Sequence, residues 1–398
     1  MTTLAEYEDI RPYVDAEVRP TLDRLLSDPE FLDSVAKLKL PKLASWAPAL
    51  LRPMVKKALM KETAGIHTVD AFQKSIEKYM QQMLDDTTSD LSFSGLEHLS
   101  QTRACCFVSN HRDIAMDPAF VNWVLFQNGF QTLRIAIGDN LLSKPFASDL
   151  MRLNKCFIVN RSASAPREKL KAAKKLSSYI HSSVLEDNAN IWIAQREGRA
   201  KDGLDITNHA IISMLALSKP KKDDFGEFIE QAHIVPVSIS YEWDPCDADK
   251  ARELTLTARD GKYEKAQHED VQSIAKGISG FKGDVHLSFG QPFDAQYQST
   301  EEVAYALDRH ILQNYVLHPS NCIAYEMLEK KTPVLPVTKS ATPFTDLPCD
   351  AQREKMTKRV QAISPEYQSM FLQIYANPVY AKLKLAAQTA TEQTDATV

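Results

Sequence analysis

His111, Asp113 and Asp117 fall within seven positions of one another, between the apolar run Cys105-Cys106-Phe107-Val108 and an apolar stretch that opens at Asp117-Pro118. Histidine is the side chain best suited to take a proton near neutral pH, and a carboxylate on its second ring nitrogen fixes the tautomer and stabilises the imidazolium. The pattern therefore reads as general-base chemistry. A surface or capping His–Asp pair is the plainer alternative. Two other stretches place cations after short apolar runs: Asn160-Arg161-Ser162, and Gln195-Arg196-Glu197-Gly198-Arg199-Ala200-Lys201-Asp202-Gly203. A glycine beside arginines and a lysine lets backbone N–H groups and cationic heads converge on one anion, most simply a phosphate. Its alternative is a solvated charged turn.

Such residues need strands to end at them. Short apolar or β-branched runs predict strands over 104–109, 133–138, 156–160, 191–195, 233–241, 252–258 and 284–290. Helical spacing predicts helices near 117–128, 165–186 and 204–218, the first with Asp117 as its cap and Pro118 at the first helical position. This alternation argues for an α/β fold, a mixed, largely parallel sheet flanked by helices, with ligands at the strand-end edge. The polar stretch 86–95 reads as a turn-rich boundary. The expected organisation is an N-terminal helical region (1–90), an α/β domain (91–296), a helical C-terminal extension (297–388) and a disordered tail (389–398).

In the first region, Val18, Leu22 and Leu25 recur at helical spacing, as do Val69, Phe72 and Ile76 behind a Thr68 cap. Between these stripes, residues 36–61 interleave Lys37, Lys39, Lys42, Lys56, Lys57 and Lys61 with leucines and Trp46. Such a segment suits an anionic bilayer surface, or equally a solvated helix pair with one buried face. No apolar run reaches the roughly 18 residues that a spanning helix requires, so a membrane contact would be peripheral. The first residues lack a secretory pattern, and the six cysteines show no metal-ligand spacing, both of which point to the cytoplasm and free thiols. A net charge of −5 argues against a dedicated nucleic-acid binder. His111-Arg112-Asp113 and Asp224-Phe225-Gly226 look like kinase signatures. They lie about 110 residues apart with no Gly-rich loop before them, which sets that reading aside.

Taken together, four blocks resemble the glycerolipid acyltransferases, which include glycerol-3-phosphate and 1-acylglycerol-3-phosphate O-acyltransferases. They are Val108-Ser109-Asn110-His111 through Asp117-Pro118, Phe157-Ile158-Val159-Asn160-Arg161, Glu197-Gly198-Arg199, and Ile234-Val235-Pro236-Val237-Ser238-Ile239. Five residues separate His111 from Asp117, one more than in the family's block, so Asp113 stands as a rival partner. The resemblance implies that His111 deprotonates a glycerol hydroxyl, with Asp117 orienting its ring, and that the hydroxyl attacks the thioester of acyl-CoA or acyl-carrier protein. It implies that Arg161 and Arg199, helped by Lys201, hold the phosphate of a glycerol phosphate or lysophospholipid acceptor. Glu197 and Gly198 would shape the loop near the thioester. No metal or bound cofactor is implied, and the enzyme is expected as a peripheral protein on the cytoplasmic face of the membrane. A non-catalytic lipid-phosphate binder is the competing expectation.

Overall fold

The computed structural model describes residues 4–44, 48–142, 144–163 and 165–395. Its seven main strands are β1 (Thr88–Ser94), β2 (Cys106–Ser109), β3 (Arg134–Gly138), β4 (Cys156–Val159), β5 (Ile191–Ala194), β6 (Ile234–Tyr241) and β7 (Gly283–Phe289). The chain divides into two compact units, Met1–Gln82 with Leu133–Tyr179, and Met83–Thr132 with Ile180–Val398. No helix among the described residues is long and apolar enough to cross a membrane. All six cysteines are free and buried.

The first unit pairs β3 with β4 in parallel and surrounds them with helices. Its core joins Val18, Leu22 and Leu25 of helix Asp15–Leu25 to Val69 and Phe72 of helix Val69–Thr87 and to Leu153, as the two stripes predict. Helix Pro29–Lys39 starts cleanly because Asp28 accepts from the N–H groups of Glu30 and Phe31 and Pro29 occupies the first turn. It buries Leu32 and Ala36 against Val55 of helix Pro48–Thr63. The outer side of that second helix leaves Leu50, Met54 and Met60 exposed, Leu50 to 80%. Trp46 lies outside the described residues.

In the second unit the strand order is β1-β7-β6-β2-β5. β2 pairs in parallel on both sides, Phe107 opposite Trp192 of β5 and Val235 of β6, while β6 meets β7 antiparallel. The mixed, largely parallel sheet is borne out. Every residue of β2 and of β6 is buried, and strands covered on both faces read as continuous apolar runs rather than alternating ones. Pro236 fits inside such a strand because its carbonyl accepts from Gly290 N–H at 2.8 Å, where β7 has ended and a ladder donor is no longer required. The extension's helices Pro319–Glu329, Asp350–Gln361 and Pro365–Asp395 close around Trp243, Phe344, Phe371 and Tyr375.

Three expectations change. Residues 252–258 are not a strand but the second half of helix Asp247–Asp260, whose acidic first turn and left-handed Gly261 cap outweigh the Leu-Thr-Leu-Thr alternation. The stretch 86–95 is not a turn but largely β1, parallel to β7. Ser92 and Ser94 on it bond the two ring nitrogens of buried His286 at 2.9 and 3.2 Å, and the stretch Thr-Ser-Asp-Leu-Ser-Phe-Ser lacks the apolar run that marks a buried strand. The tail is helical as far as Asp395, through alanines and glutamines that favour helix.

Candidate active site

β2 delivers its polar loop at the end of a fully buried strand. Asn110 extends the β2–β6 ladder with its side chain, Oδ1 accepting from Ile239 N–H at 2.8 Å and Nδ2 donating to Ile239 O at 2.9 Å. His111 follows. Its Nδ1 lies 2.9 Å from Asp117 Oδ2, and Asp117 is completely buried while the His111 side chain keeps 13% exposure. Asp117 Oδ2 also accepts from the backbone N–H groups of Arg112 and Asp113, at 2.6 and 3.0 Å. These bonds curl the loop around the carboxylate, so the extra residue between His111 and Asp117 is absorbed. With Nδ1–H donated to Asp117, Nε2 keeps the free lone pair of a base.

Asp117 does not cap the following helix, Met116–Gln127, but sits inside its first turn. The orphan donors are met instead by Asp113, whose Oδ1 accepts from Ala115 N–H and Met116 N–H at 3.0 and 2.8 Å. Asp117 thus keeps the contact with His111, and only the capping role that spacing gave it passes to Asp113. Burial, and next the charge of Asp117, push the Asp113 carboxyl above its ordinary value. Helix Glu269–Ser279 approaches Asp113 so closely at Gly277 that an added Cβ would stand 2.2 Å from Oδ2.

The loop after β5 is tied to the histidine. Ala200 N–H donates to His111 O at 2.7 Å, which places Arg199 and Lys201 on either side of a residue bonded to the proposed base. Glu197 and Gly198 are exposed and Arg199 is half-buried, its guanidinium reaching Ser273 Oγ at 3.5 Å. Gly198 takes φ +73° with open space where a side chain would stand, so it serves backbone shape. The Lys201 ammonium is engaged by Glu253. Gly203, at φ +81°, lies against Ile374 O, and Asn377 Nδ2 donates to Asp202 O at 2.7 Å, so the C-terminal helix holds the loop's far end. Arg161 lies in the other unit, at the end of β4, where Asp139 accepts its backbone N–H at 3.1 Å.

Several residues that support this arrangement carry no short-range signal. Arg112 is a buried cation bonded to Gly203 O and to Asp205 Oδ2 at 2.5 Å, a pair whose breaking would strand a charge in the interior. Lys250, also buried, donates to Arg112 O at 2.7 Å and pairs with Asp244. Tyr241, the last residue of β6, donates to Asp117 Oδ1 at 2.6 Å. The bonds of Arg112 to Asp205, Tyr241 to Asp117 and Lys250 to Arg112 span 93, 124 and 138 residues of chain. For Tyr241 the one clue is a polar tip at the end of a run that otherwise reads as buried.

Residues 90–240 match the family model described as Acyltransferase. No curated protein matches the chain. Among solved structures the chain is similar to a 1-acyl-sn-glycerophosphate (LPA) acyltransferase, PlsC, from Thermotoga maritima, at 16% identity over 74% of this chain and 94% of that one, with a TM-score of 0.34.

Proposed function

We propose, from the match of residues 90–240 to the Acyltransferase family model, that this protein is an O-acyltransferase of phospholipid synthesis. It moves a fatty acyl group from acyl-CoA or acyl-carrier protein to a hydroxyl of glycerol-3-phosphate or 1-acylglycerol-3-phosphate. The observation that carries this reading is the 2.9 Å contact between His111 Nδ1 and fully buried Asp117, inside the matched segment.

In this mechanism His111 Nε2 takes the proton of the acceptor hydroxyl as its oxygen attacks the thioester carbonyl. The resulting imidazolium is held by Asp117. Collapse of the tetrahedral intermediate breaks the C–S bond, and the proton leaves His111 with the thiolate, giving an ester and a free thiol. No covalent acyl-enzyme is needed. Arg199, half-buried beside the Ala200–His111 tie, is the proposed ligand for the acceptor phosphate. Lys201 contributes charge from its pair with Glu253, and Glu197-Gly198 shapes the loop near the thioester. Arg161 is a second candidate phosphate ligand on its sequence motif alone.

Membrane contact is proposed for helix Pro48–Thr63, where exposed Leu50, Met54 and Met60 alternate with Lys56, Lys57 and Lys61. The deciding experiment supplies acyl-CoA, or acyl-carrier protein, with each acceptor in turn and follows thiol release. Release that depends on one acceptor and disappears in His111→Ala supports the reading. No release with any pair would favour a lipid-phosphate binder.

A further inference from the structure

β6 ends one residue beyond the matched segment, at Tyr241. Its hydroxyl supplies the hydrogen bond to Asp117 Oδ1, at 2.6 Å, while Oδ2 serves His111 and two backbone N–H groups. Both side chains are buried, and the Tyr241 ring lies 5.7 Å from that of Phe120 in the helix that follows the loop. The phenol is therefore fixed by packing independently of the carboxylate. Burial, and next the charge of Asp117, push it well above its ordinary value, so it is a neutral donor at any working pH.

A carboxylate that orients a base must be held in plane and must not be free to swing. The backbone donors and His111 all lie on Oδ2, so they leave rotation about the carboxylate axis to be settled by whatever meets Oδ1. We propose that Tyr241 is a positioning residue for the His111–Asp117 pair, holding Asp117 Oδ1 so that Oδ2 faces His111 Nδ1 and drawing off part of the carboxylate's charge. The strength with which the imidazole keeps its proton is then set partly from β6. The other charged groups around the pair are Asp113 and Arg112 on the loop, Asp205 after β5, Asp244 after β6, and Lys250 on helix Asp247–Asp260. Replacing Tyr241 by Phe leaves all of them in place, so a change reports the hydroxyl.

The rate arm of the test rests on the proposed acyl transfer; the titration arm does not. In Tyr241→Phe the His111 imidazole resonance, assigned by its loss in His111→Ala, should titrate about half a pH unit or more above its position in the unaltered chain, because the carboxylate has lost a donor. The acid limb of thiol release should move up with it. We expect kcat to fall about 5- to 30-fold with acceptor KM within about twofold, as for a group that acts on the base rather than on substrate binding. Added to Asp117→Asn, the same change should cost nothing further. An unmoved titration, or an equal loss in the Asp117→Asn background, overturns the proposal. If the unaltered protein releases no thiol but its His111 resonance shifts as stated, the positioning role stands and the enzymatic reading falls. Should Tyr241→Phe not fold, 3-fluorotyrosine at 241 keeps the shape and strengthens the donor; the resonance should then titrate lower, and no movement sinks the idea.

Discussion

The loops after β2 and β5 both leave buried parallel strands, yet they treat their polar groups in opposite ways. In the His111 loop almost every charge is consumed internally: Asp117 by four donors, Asp113 by the helix start, Arg112 by Asp205. In the loop after β5, Glu197 and Gly198 are exposed and Arg199 is half-buried and reaches Ser273 Oγ only at 3.5 Å, while Lys201 is engaged by Glu253 and the backbone is tied at Ala200 and Asp202. A base works best when its geometry is settled before substrate arrives, whereas an anion site must leave donors unspent for the ligand. Under the proposed function the first loop is the part that reacts and the second the part that receives.

The sharpest way to break this contrast is His111→Ala, expected to lower kcat by roughly 10²–10⁴ with little change in acceptor KM. Asp117→Asn should approach that loss, since an amide cannot accept from all four donors. Asp113→Asn should stay mild, because Asn satisfies the same helix-start donors. Steady-state kinetics decide it, and a damaging Asp113→Asn beside a silent Asp117→Asn would reverse the assignment. On the receiving side, Arg199→Ala should cost about 1.5–3 kcal/mol, read chiefly as a raised acceptor KM. If instead kcat alone fell, Arg199 would belong with the reacting part.

A smaller effect tests a region outside both loops. Replacing Lys56 and Lys57 with Glu should weaken binding to anionic vesicles by about fivefold or more, while leaving kinetics with water-soluble glycerol-3-phosphate unchanged. Vesicle binding that ignores the change would remove helix Pro48–Thr63 from the contact.

Smallest within the working range is the effect of acid on the scaffold. Burial, and next the charge of Lys339, holds His286 down to about 4, and burial, followed by neighbouring His286, holds His318 down to about 3, from an ordinary 6.5. Both are neutral in the fold and take up protons on unfolding. Their stabilisation is therefore complete above about 6.5 and drains away as pH falls towards 4 and 3. Thermal melts from pH 7.5 to 4 should show a falling midpoint that begins near 6.5, and His318→Gln should flatten that slope. Comparing the melts with the pH–rate profile separates titration of the His111 loop from failure of the sheet beneath it.

What the sequence made legible follows from how each segment earns its place. β2, β5 and β6 are buried on both faces and advertise themselves as apolar runs. β1 is held by Ser92 and Ser94 on His286 and therefore reads as a turn. The His111–Asp117 contact is legible because both residues share one loop, whereas the helix cap falls to Asp113 and not to Asp117: the sequence shows which side chains are near, not which oxygen faces which N–H. Tyr241, Lys250 and Asp205 were invisible as site residues, because long-range hydrogen bonds leave no periodic trace.

The grip of the C-terminal helix on Asp202 and Gly203 bears on how this chain can be cut and spliced. The segment 90–240 is a sound unit for alignment, but it is not a sound unit for transplantation. Moved alone into another protein, it would leave behind Lys250 beneath the histidine loop, Tyr241 at its carboxylate, and Asn377 and Ile374 at the far end of the anion loop. A chimera that exchanges acceptor preference by swapping the loop after β5 should therefore carry residues 370–380 along with it. The shape of that loop is set partly by a helix more than 160 residues further along the chain.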